Sequence, residues 1–212
     1  MVKSLFDNRS KDWAIIVDKL HISADDSRYE LFKQIHFLLV FSQHKSIENQ
    51  LGNEFILSEM RKLGLESLIS ALNGLDNAMI FTLRSTEDAL LNLLLSHSGI
   101  SSDASRFVDK KKLLKDAQYY PLVNKLHNNY KIISNVFHGD SESDQTIQFV
   151  FESDRQVTTE SLELAIDGFS IINELLFDLS KSVLHVWVNS DIKDYLSLIF
   201  SKSRINNIIK NK

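Results

Sequence analysis

The first indication of the fold is a stretch that reads Tyr130-Lys-Ile-Ile-Ser134-Asn-Val-Phe-His138-Gly139-Asp140. Tyr130, Ser134 and His138 follow one another at a spacing of four residues within an apolar run, so a helix would place them on one face. Gly139 suits the left-handed conformation that ends helices, and the acidic run 140–144 is typical of a loop. The stretch therefore predicts a helix that ends at His138 and presents an imidazole beside a loop.

The composition of the whole chain favours a mostly α fold. The chain has 212 residues, of which 43% are hydrophobic, so it can fill a substantial core. Six glycines and a single proline, Pro121, leave few breakers, and this disfavours a many-stranded β fold.

Charge and cysteine content exclude several functional classes. Lysine and arginine total 24 against 28 acidic residues, which gives a net charge of -4 and no domain-wide basic field for nucleic acid. The absence of cysteine excludes disulfides and cysteine-ligated zinc, and fits a reducing compartment. The most apolar run, 78–95, is interrupted by Arg84, Glu87 and Asp88, which makes it a poor membrane span. We expect a cytoplasmic protein that makes no membrane contact.

Apolar periodicity predicts a series of helices. It indicates a helix from Ser27 to about His44, a second that stops near Gly64, a long central helix over 66–97, a helix from Pro121 to His138, and a final long helix over 159–188 that opens on Thr158 or Thr159. A shorter helix is expected over 191–200.

One segment breaks this helical pattern. Residues 146–152 alternate loosely and are rich in β-formers, which predicts a short strand or β-hairpin. The resulting organisation is a lead-in over residues 1–26 that packs on the body, a single helical domain over 27–200, and a basic tail over 201–212 that we expect to fray.

Two sets of residues are candidates for chemistry. His138 titrates near neutral pH and could act as an acid or base, with Ser134 and Tyr130 orienting it. The alternative is that His138 simply ends its helix, while Ser134 and Tyr130 pair with a neighbouring helix. Arg84 and Glu87 lie three residues apart in the apolar central segment, where a charge is retained if it pairs or acts. The structural alternative is an intrahelical ion pair between them.

The remaining polar residues give weaker signals. The lysines at 110, 111, 112 and 115 form a solvated face or a contact for a phosphate backbone. The other histidines, His127 included, have no convincing partner in sequence, and the glycines are scattered singly. We therefore predict neither a metal nor a cofactor.

With these residues identified, the chain resembles the HEPN superfamily of helical proteins from prokaryotic defence and toxin–antitoxin systems. Leu83-Arg84-Ser85-Thr86-Glu87 is similar to an Arg-x-x-Glu signature of several HEPN-like families. The stretch from Tyr130 to Gly139 is similar to their Tyr-x-x-Leu-Ser-x-x-x-His ending, with Ile133 at the leucine position. The resemblance covers about residues 66–188 in element order.

The resemblance implies an antiparallel helical bundle that forms a homodimer, and for many members a metal-independent endoribonuclease. Such a site uses an arginine, four to six residues, and then a histidine for acid–base chemistry. Here Lys131 stands with six residues between it and His138, and lysine offers a point charge without the guanidinium fork. The motif is therefore degenerate, and Arg84 is the better cationic partner for His138.

The resulting assignment names His138, Arg84, Glu87, Ser134 and Lys131 as catalytic residues, and Tyr130, Asn135, Lys111 and Lys112 as substrate-binding residues. The expected partners are RNA, a second copy of the chain and a cognate protein. The alternatives are a non-catalytic protein interaction module that dimerises, and a sensor that binds a nucleotide or another small molecule among its helices.

Overall fold

The computed structural model describes residues 9–20, 25–43, 45–101, 103–138 and 157–180, and the single positions 196, 200 and 203. Within these residues the chain forms helices and no strand, which confirms a mostly α fold. The helices are α1 (Arg9–Leu20), α2 (Asp26–Ser42), α3 (Lys45–Leu51), α4 (Glu54–Leu72), α5 (Asp76–His97), α6 (Phe107–Leu113), α7 (Tyr120–His138) and α8 (Thr159–Leu179).

A side-chain cap begins α2, and aromatic contacts join α1 to α2. Asp25 caps α2, because its carboxylate accepts a hydrogen bond from the backbone N–H of Arg28 at 2.6 Å. Trp13 of α1 packs between Tyr29 and Phe32 of α2, with ring centroids 5.5 and 5.1 Å apart. These contacts hold α1, the described part of the predicted lead-in, against the body of the protein.

The predicted helix end near Gly64 is wrong, because α4 continues through this residue to Leu72. Gly64 is buried where α4 meets α2, and a Cβ atom added there would lie only 3.0 Å from Leu38 Cδ2. The glycine therefore permits a close approach between two helices and does not terminate one.

The predicted central helix over 66–97 is also wrong in its first half, since the chain turns between α4 and α5. Gly74 adopts a positive φ of 73°, a conformation that glycine takes without strain. The amide of Asn73 donates to the carbonyl of Ile69 at 2.7 Å, and the backbone N–H of Leu75 donates to that of Ser70 at 2.8 Å. These bonds satisfy carbonyl groups at the end of α4.

The central position belongs to α5, which packs against α4, α6, α7 and α8. Its apolar residues are completely buried at Leu83, Leu90, Leu91 and Leu94. A helix covered on this many sides has little room for charged side chains, and this constraint shapes the candidate site described below. Despite its apolar character, neither α5 nor any other described helix meets the length and hydropathy that a membrane span requires.

The last described helix, α8, begins as the sequence predicts. Thr158 is its cap and accepts a hydrogen bond from the backbone N–H of Ser161 at 3.1 Å. The Ser161 hydroxyl donates to Asp76 at the start of α5, at 2.9 Å. Farther along, the buried amide of Asn173 donates to the carbonyl of Gln34 at 2.9 Å and thereby joins α8 to α2.

Helices α5, α7 and α8 cross closely at Gly168. A Cβ atom added to Gly168 would lie 2.8 Å from Leu83 Cδ1 and 3.1 Å from Asn129 Oδ1. The side-chain amide of Asn129 donates to the carbonyl of Leu164 at 3.2 Å, which fixes α7 against α8 at the same level. The crossing therefore depends on the absence of a side chain at position 168.

Several predictions fall wholly or partly outside the described residues. These are the strand or hairpin at 146–152, the extension of the last helix over 181–188, and the basic tail over 201–212 apart from Ser203. Leu196 and Phe200, from the predicted helix over 191–200, are described and buried. The ring of Phe200 stacks on that of Phe177 with centroids 4.5 Å apart, so this part of the chain contributes to the core.

We predict that Gly168→Ala lowers the free energy of unfolding by about 1–3 kcal/mol, although alanine favours helices over glycine. Leu83 is fully buried, so the added methyl group would force its side chain to shift within a packed core. Denaturant unfolding would measure the loss, with Asp167→Ala, at the exposed neighbouring position, as the control. A variant as stable as the wild type would show that the three helices can separate at this crossing.

Candidate functional site

The candidate site forms where α7 runs antiparallel to α5. Near the start of α7, the Tyr119 hydroxyl hydrogen-bonds to Ser98 and lies 3.4 Å from the carbonyl oxygen of Leu94, at the end of α5. Tyr130 follows Tyr119 by eleven residues, and the centroid of its ring lies 5.0 Å from the guanidinium carbon of Arg84 on α5. The structure therefore brings together Arg84 and Tyr130, two of the residues that the sequence selects.

Tyr130 belongs to a row of stacked rings that joins α7 to α6. Its ring stacks on that of Phe107 with centroids 4.0 Å apart, and Phe107 stacks in turn on His127 at 5.9 Å. We call Tyr130, Phe107 and His127 the aromatic row. Arg84 lies against one end, and at the other end Lys111 Nζ lies 3.1 Å from His127 Nδ1. The aromatic row thus separates two cations.

Glu87 is buried without any compensating contact. Its side chain is 0% exposed, and neither carboxyl oxygen has a hydrogen-bond partner in the described part of the chain. Burial raises the pKa of Glu87 well above its usual value, and the charge of Arg84 opposes this rise only in part. Burial therefore disfavours the charged form of Glu87. No ion pair joins Arg84 to Glu87 among the described residues, in contrast to the structural alternative drawn from their spacing.

Asp88 is neutralised by a lysine from the neighbouring helix. Lys110 Nζ donates to Asp88 Oδ2 at 2.7 Å, and Lys110 is only 5% exposed. The solvated lysine face that the sequence suggests is thus incorrect for Lys110, although Lys112 and Lys115 are exposed. Burial of the lysine stem together with the ion pair holds α6 on α5.

Ser134 and Glu87 lie on opposite sides of the contact between Arg84 and Tyr130. Because α5 and α7 are antiparallel, Ser134 lies toward the start of α5 and Glu87 toward its end, about 10 Å apart along the helix axes. The Ser134 hydroxyl is buried and has no hydrogen-bond partner within the described ranges. Of the residues assigned to catalysis, Glu87 therefore lies near Arg84 on α5, whereas Ser134 lies one turn beyond Tyr130 on α7.

The remaining predicted residues lie on or near α7. Lys131 and Asn135 are exposed, and Lys112 is also exposed and pairs with Asp109 at 3.1 Å. His138 is the last residue of α7, but its side chain lies outside the described residues. The helical register places position 138 on the face shared by Tyr130 and Ser134, about 12 Å along the axis from Tyr130.

The sequence analysis missed His127, which the structure places among cations. Burial lowers the pKa of His127, and the charges of Lys111 and Lys131 lower it further. Lys131 lies one turn after His127 on α7, a spacing that could have identified the pair. Lys111 comes from another helix, so only the folded structure reveals its contact.

The described residues also contain a groove between α7 and α8 but no metal-like cluster. The groove has a volume of about 350 Å³, with Ile132, Leu164 and Ile171 among its apolar walls and Lys125 and Asp167 among its charged residues. No group of three or more histidine, aspartate or glutamate side chains in the described ranges is arranged to hold a metal ion.

Comparisons of the chain with protein-family models, with curated proteins and with solved structures found no match. The resemblance to the HEPN superfamily therefore stays a prediction from the motifs.

We predict that Glu87→Met stabilises the fold by about 1–3 kcal/mol at neutral pH, because it removes a buried polar group that lacks a partner. The pKa of Glu87 is higher in the folded state than the usual 4.5, so its favourable contribution is complete below that pH and is lost as the pH rises. The advantage of the variant should therefore grow with pH. Urea unfolding from pH 4 to pH 8 would measure it.

Glu59→Met, at an exposed position of α4, is the matched control and should leave the pH dependence of stability unchanged. A Glu87→Met variant whose stability follows the wild-type pH profile would contradict the assignment of a buried acid that titrates with folding.

Proposed function

We propose that the protein is a HEPN-like helical-bundle protein of a prokaryotic defence or toxin–antitoxin system, and that it acts as a metal-independent endoribonuclease with a degenerate motif. The observation that carries this proposal is the position of Arg84, whose guanidinium lies on Tyr130 of the helix that ends at His138. A guanidinium held against that helix without a carboxylate partner in the described residues can contact a phosphodiester.

The states of the two neighbouring acids support the same role. Burial disfavours the charged form of Glu87, and Asp88 is paired with Lys110. Neither residue cancels the positive charge of Arg84, which is partly exposed. Arg84 therefore supplies the guanidinium that the degenerate motif lacks, since Lys131 stands at the position of its arginine.

In the proposed reaction, His138 accepts the proton of a ribose 2′-hydroxyl. The 2′-oxygen forms a bond to the adjacent phosphorus, the bond from phosphorus to the 5′-oxygen breaks, and the leaving oxygen takes a proton from water. Position 138 lies about 12 Å along α7 from Tyr130, where Arg84 is held. This separation assigns Arg84 to holding the RNA chain near the reacting phosphate, with Ser134 between the two positions.

The proposal includes an antiparallel bundle that acts in the cytoplasm as a homodimer and binds a cognate protein. Short connections between consecutive helices, such as the turn at Gly74 between α4 and α5, support the antiparallel arrangement. Of the remaining predicted site residues, Lys131, Asn135, Lys111 and Lys112 are assigned to contact with the RNA.

We predict that His138→Ala lowers the rate of RNA cleavage by at least about 100-fold, because it removes the acid–base group. Gel analysis of a labelled single-stranded RNA would measure this, with His97→Ala, at the exposed end of α5, as the matched control. Addition of EDTA should leave wild-type cleavage unchanged. Equal cleavage by His138→Ala, or loss of cleavage with EDTA, would overturn the catalytic assignment.

A second candidate function, a non-catalytic interaction module, is favoured by the outer face of α4. Phe55 is 79% exposed and Ile69 is 48% exposed, and Leu65 is exposed nearby on the same helix. At 3.6 residues per turn these three positions fall within about 80° of one another, and Lys62 lies among them. Such a face suits a second copy of the chain, since apolar residues would be covered while Lys62 and Glu66 can pair across the interface.

If α4 forms this interface, Ile69→Glu should convert a dimer into a monomer, because it places a charge among apolar contacts. Sedimentation velocity across a range of protein concentrations would measure the change. Ile132→Glu is the matched control, since Ile132 is 53% exposed but lies on α7. A monomeric wild type, or dissociation by both variants alike, would count against this face.

A further inference from the structure

Two lysines converge on one histidine at the boundary of α6 and α7. Lys111 Nζ lies 3.1 Å from His127 Nδ1 and 6.0 Å from the centroid of the Tyr120 ring. Lys131 is on the turn of α7 that follows His127, so its Cβ atom lies about 5–6 Å from that of His127. The three polar groups therefore surround one small region of the surface.

Among the described residues, Lys111 and Lys131 have no acidic partner, in contrast to Lys110 and Lys112 of α6. Within the described residues, Lys110 pairs with Asp88 and Lys112 pairs with Asp109, whereas neither Lys111 nor Lys131 forms an ion pair. Like charges this close repel one another, and the net charge of the chain is -4. An accumulation of unpaired cations on an acidic protein indicates a surface that takes an anion.

The contact with Lys111 also fixes the hydrogen-bonding role of His127. A lysine ammonium group carries donors and no acceptor, so Nδ1 of His127 must accept this hydrogen bond. The proton of the neutral imidazole then resides on Nε2, which can donate to a ligand. His127 thus adds a directed donor to the two ammonium groups.

We propose that Lys111, His127 and Lys131 form a binding site for a phosphate group. Lys111 and Lys131 supply the positive charge, and His127 supplies the Nε2–H donor. If the phosphate belongs to the backbone of an RNA substrate, this inference rests on the proposed function. The same chemistry would also hold a free phosphate or a phosphate monoester.

The geometry of α7 relates this site to the proposed cleavage centre. Positions 127, 131 and 138 fall within about 40° of one another around the helix, and position 138 is about 10–16 Å farther along the axis. A single strand that follows this face would therefore place one phosphate at Lys111, His127 and Lys131 and a later one at His138. The site holds RNA at a distance from the reacting bond.

The test for RNA measures how the affinity for a short single-stranded RNA depends on salt. Lys111→Gln and Lys131→Gln should each weaken binding for all sequences and reduce the slope of log affinity against log salt by about 0.7. Lys125→Gln is the matched control, because Lys125 is exposed on α7 but lies about 120° or more around the helix from His127 and Lys131, and it should leave the slope unchanged. Equal losses in all three variants would indicate diffuse attraction and overturn the site.

The test for a free phosphate follows the His127 ring resonances by NMR across pH, in inorganic phosphate and in chloride at equal ionic strength. The charges that act on His127 are those of Lys111 on α6 and Lys131 on its own helix. The pair of Lys110 with Asp88 lies between α5 and α6 and contributes little net charge. Bound phosphate should raise the pKa of His127, and Lys111→Gln should abolish this rise.

These outcomes separate the site from the proposed function. Loss of cleavage in His138→Ala tests only the ribonuclease proposal, because His138 is not one of the three residues of the phosphate site. A response to inorganic phosphate without RNA binding would support the site and remove the ribonuclease proposal. The site would be overturned if Lys111→Gln and Lys131→Gln changed neither the salt dependence of RNA binding nor the effect of phosphate on the pKa of His127.

Discussion

The burial of charge on α5 is the constraint on which the rest of the structure depends. This helix is covered by α4, α6, α7 and α8, yet it carries Arg84, Glu87 and Asp88 within five residues. Each residue meets the desolvation penalty in a different way. Arg84 lies on the Tyr130 ring at the edge of the core, burial raises the pKa of Glu87, and Asp88 pairs with Lys110 from α6. These three solutions set the positions of α6 and α7 against α5.

The same constraint determines the charge that is presented around α7. Because burial disfavours the charge on Glu87 and Asp88 is paired with Lys110, these two acids offset the cations on the neighbouring helices little. Arg84 lies at one end of the aromatic row and Lys111 at the other, with His127 held between Lys111 and Lys131. An acidic protein thereby acquires a local positive surface, which the whole-chain charge of -4 does not reveal.

Local signals made part of this fold predictable from the sequence. Pro121 in the first turn of α7 and Thr158 as the cap of α8 act through their own backbone, so both were identified correctly. The prediction was wrong at two glycines, because it ended a helix at Gly64 and continued the central helix through Gly74. Gly64 is needed beside Leu38, whereas Gly74 takes the positive φ that ends the helix.

The candidate site shows the same division between local and tertiary information. Arg84 and Glu87 stood out because charged residues are unusual in so apolar a segment, but their spacing suggested an ion pair that the described structure lacks. Glu87 is completely buried, and the Arg84 guanidinium packs on the ring of Tyr130, which belongs to α7. His127 escaped notice because its first cationic neighbour, Lys111, comes from α6.

The structure suggests a different role for Lys131 from that of the arginine in the motif. In an arginine-to-histidine motif, the guanidinium fork is suited to bidentate contact with a reacting phosphate. Lys131 instead lies one turn from His127 and contributes to the field that acts on it. A point charge with a flexible stem is sufficient to hold a backbone phosphate, since such contacts position a strand without reading its bases. In the proposed arrangement, Lys131 binds the RNA together with Lys111 and His127, while Arg84 holds the RNA chain about 12 Å along α7 from position 138. The proposed arrangement therefore divides the contacts with RNA phosphates between Arg84 of α5 and Lys131 of α7.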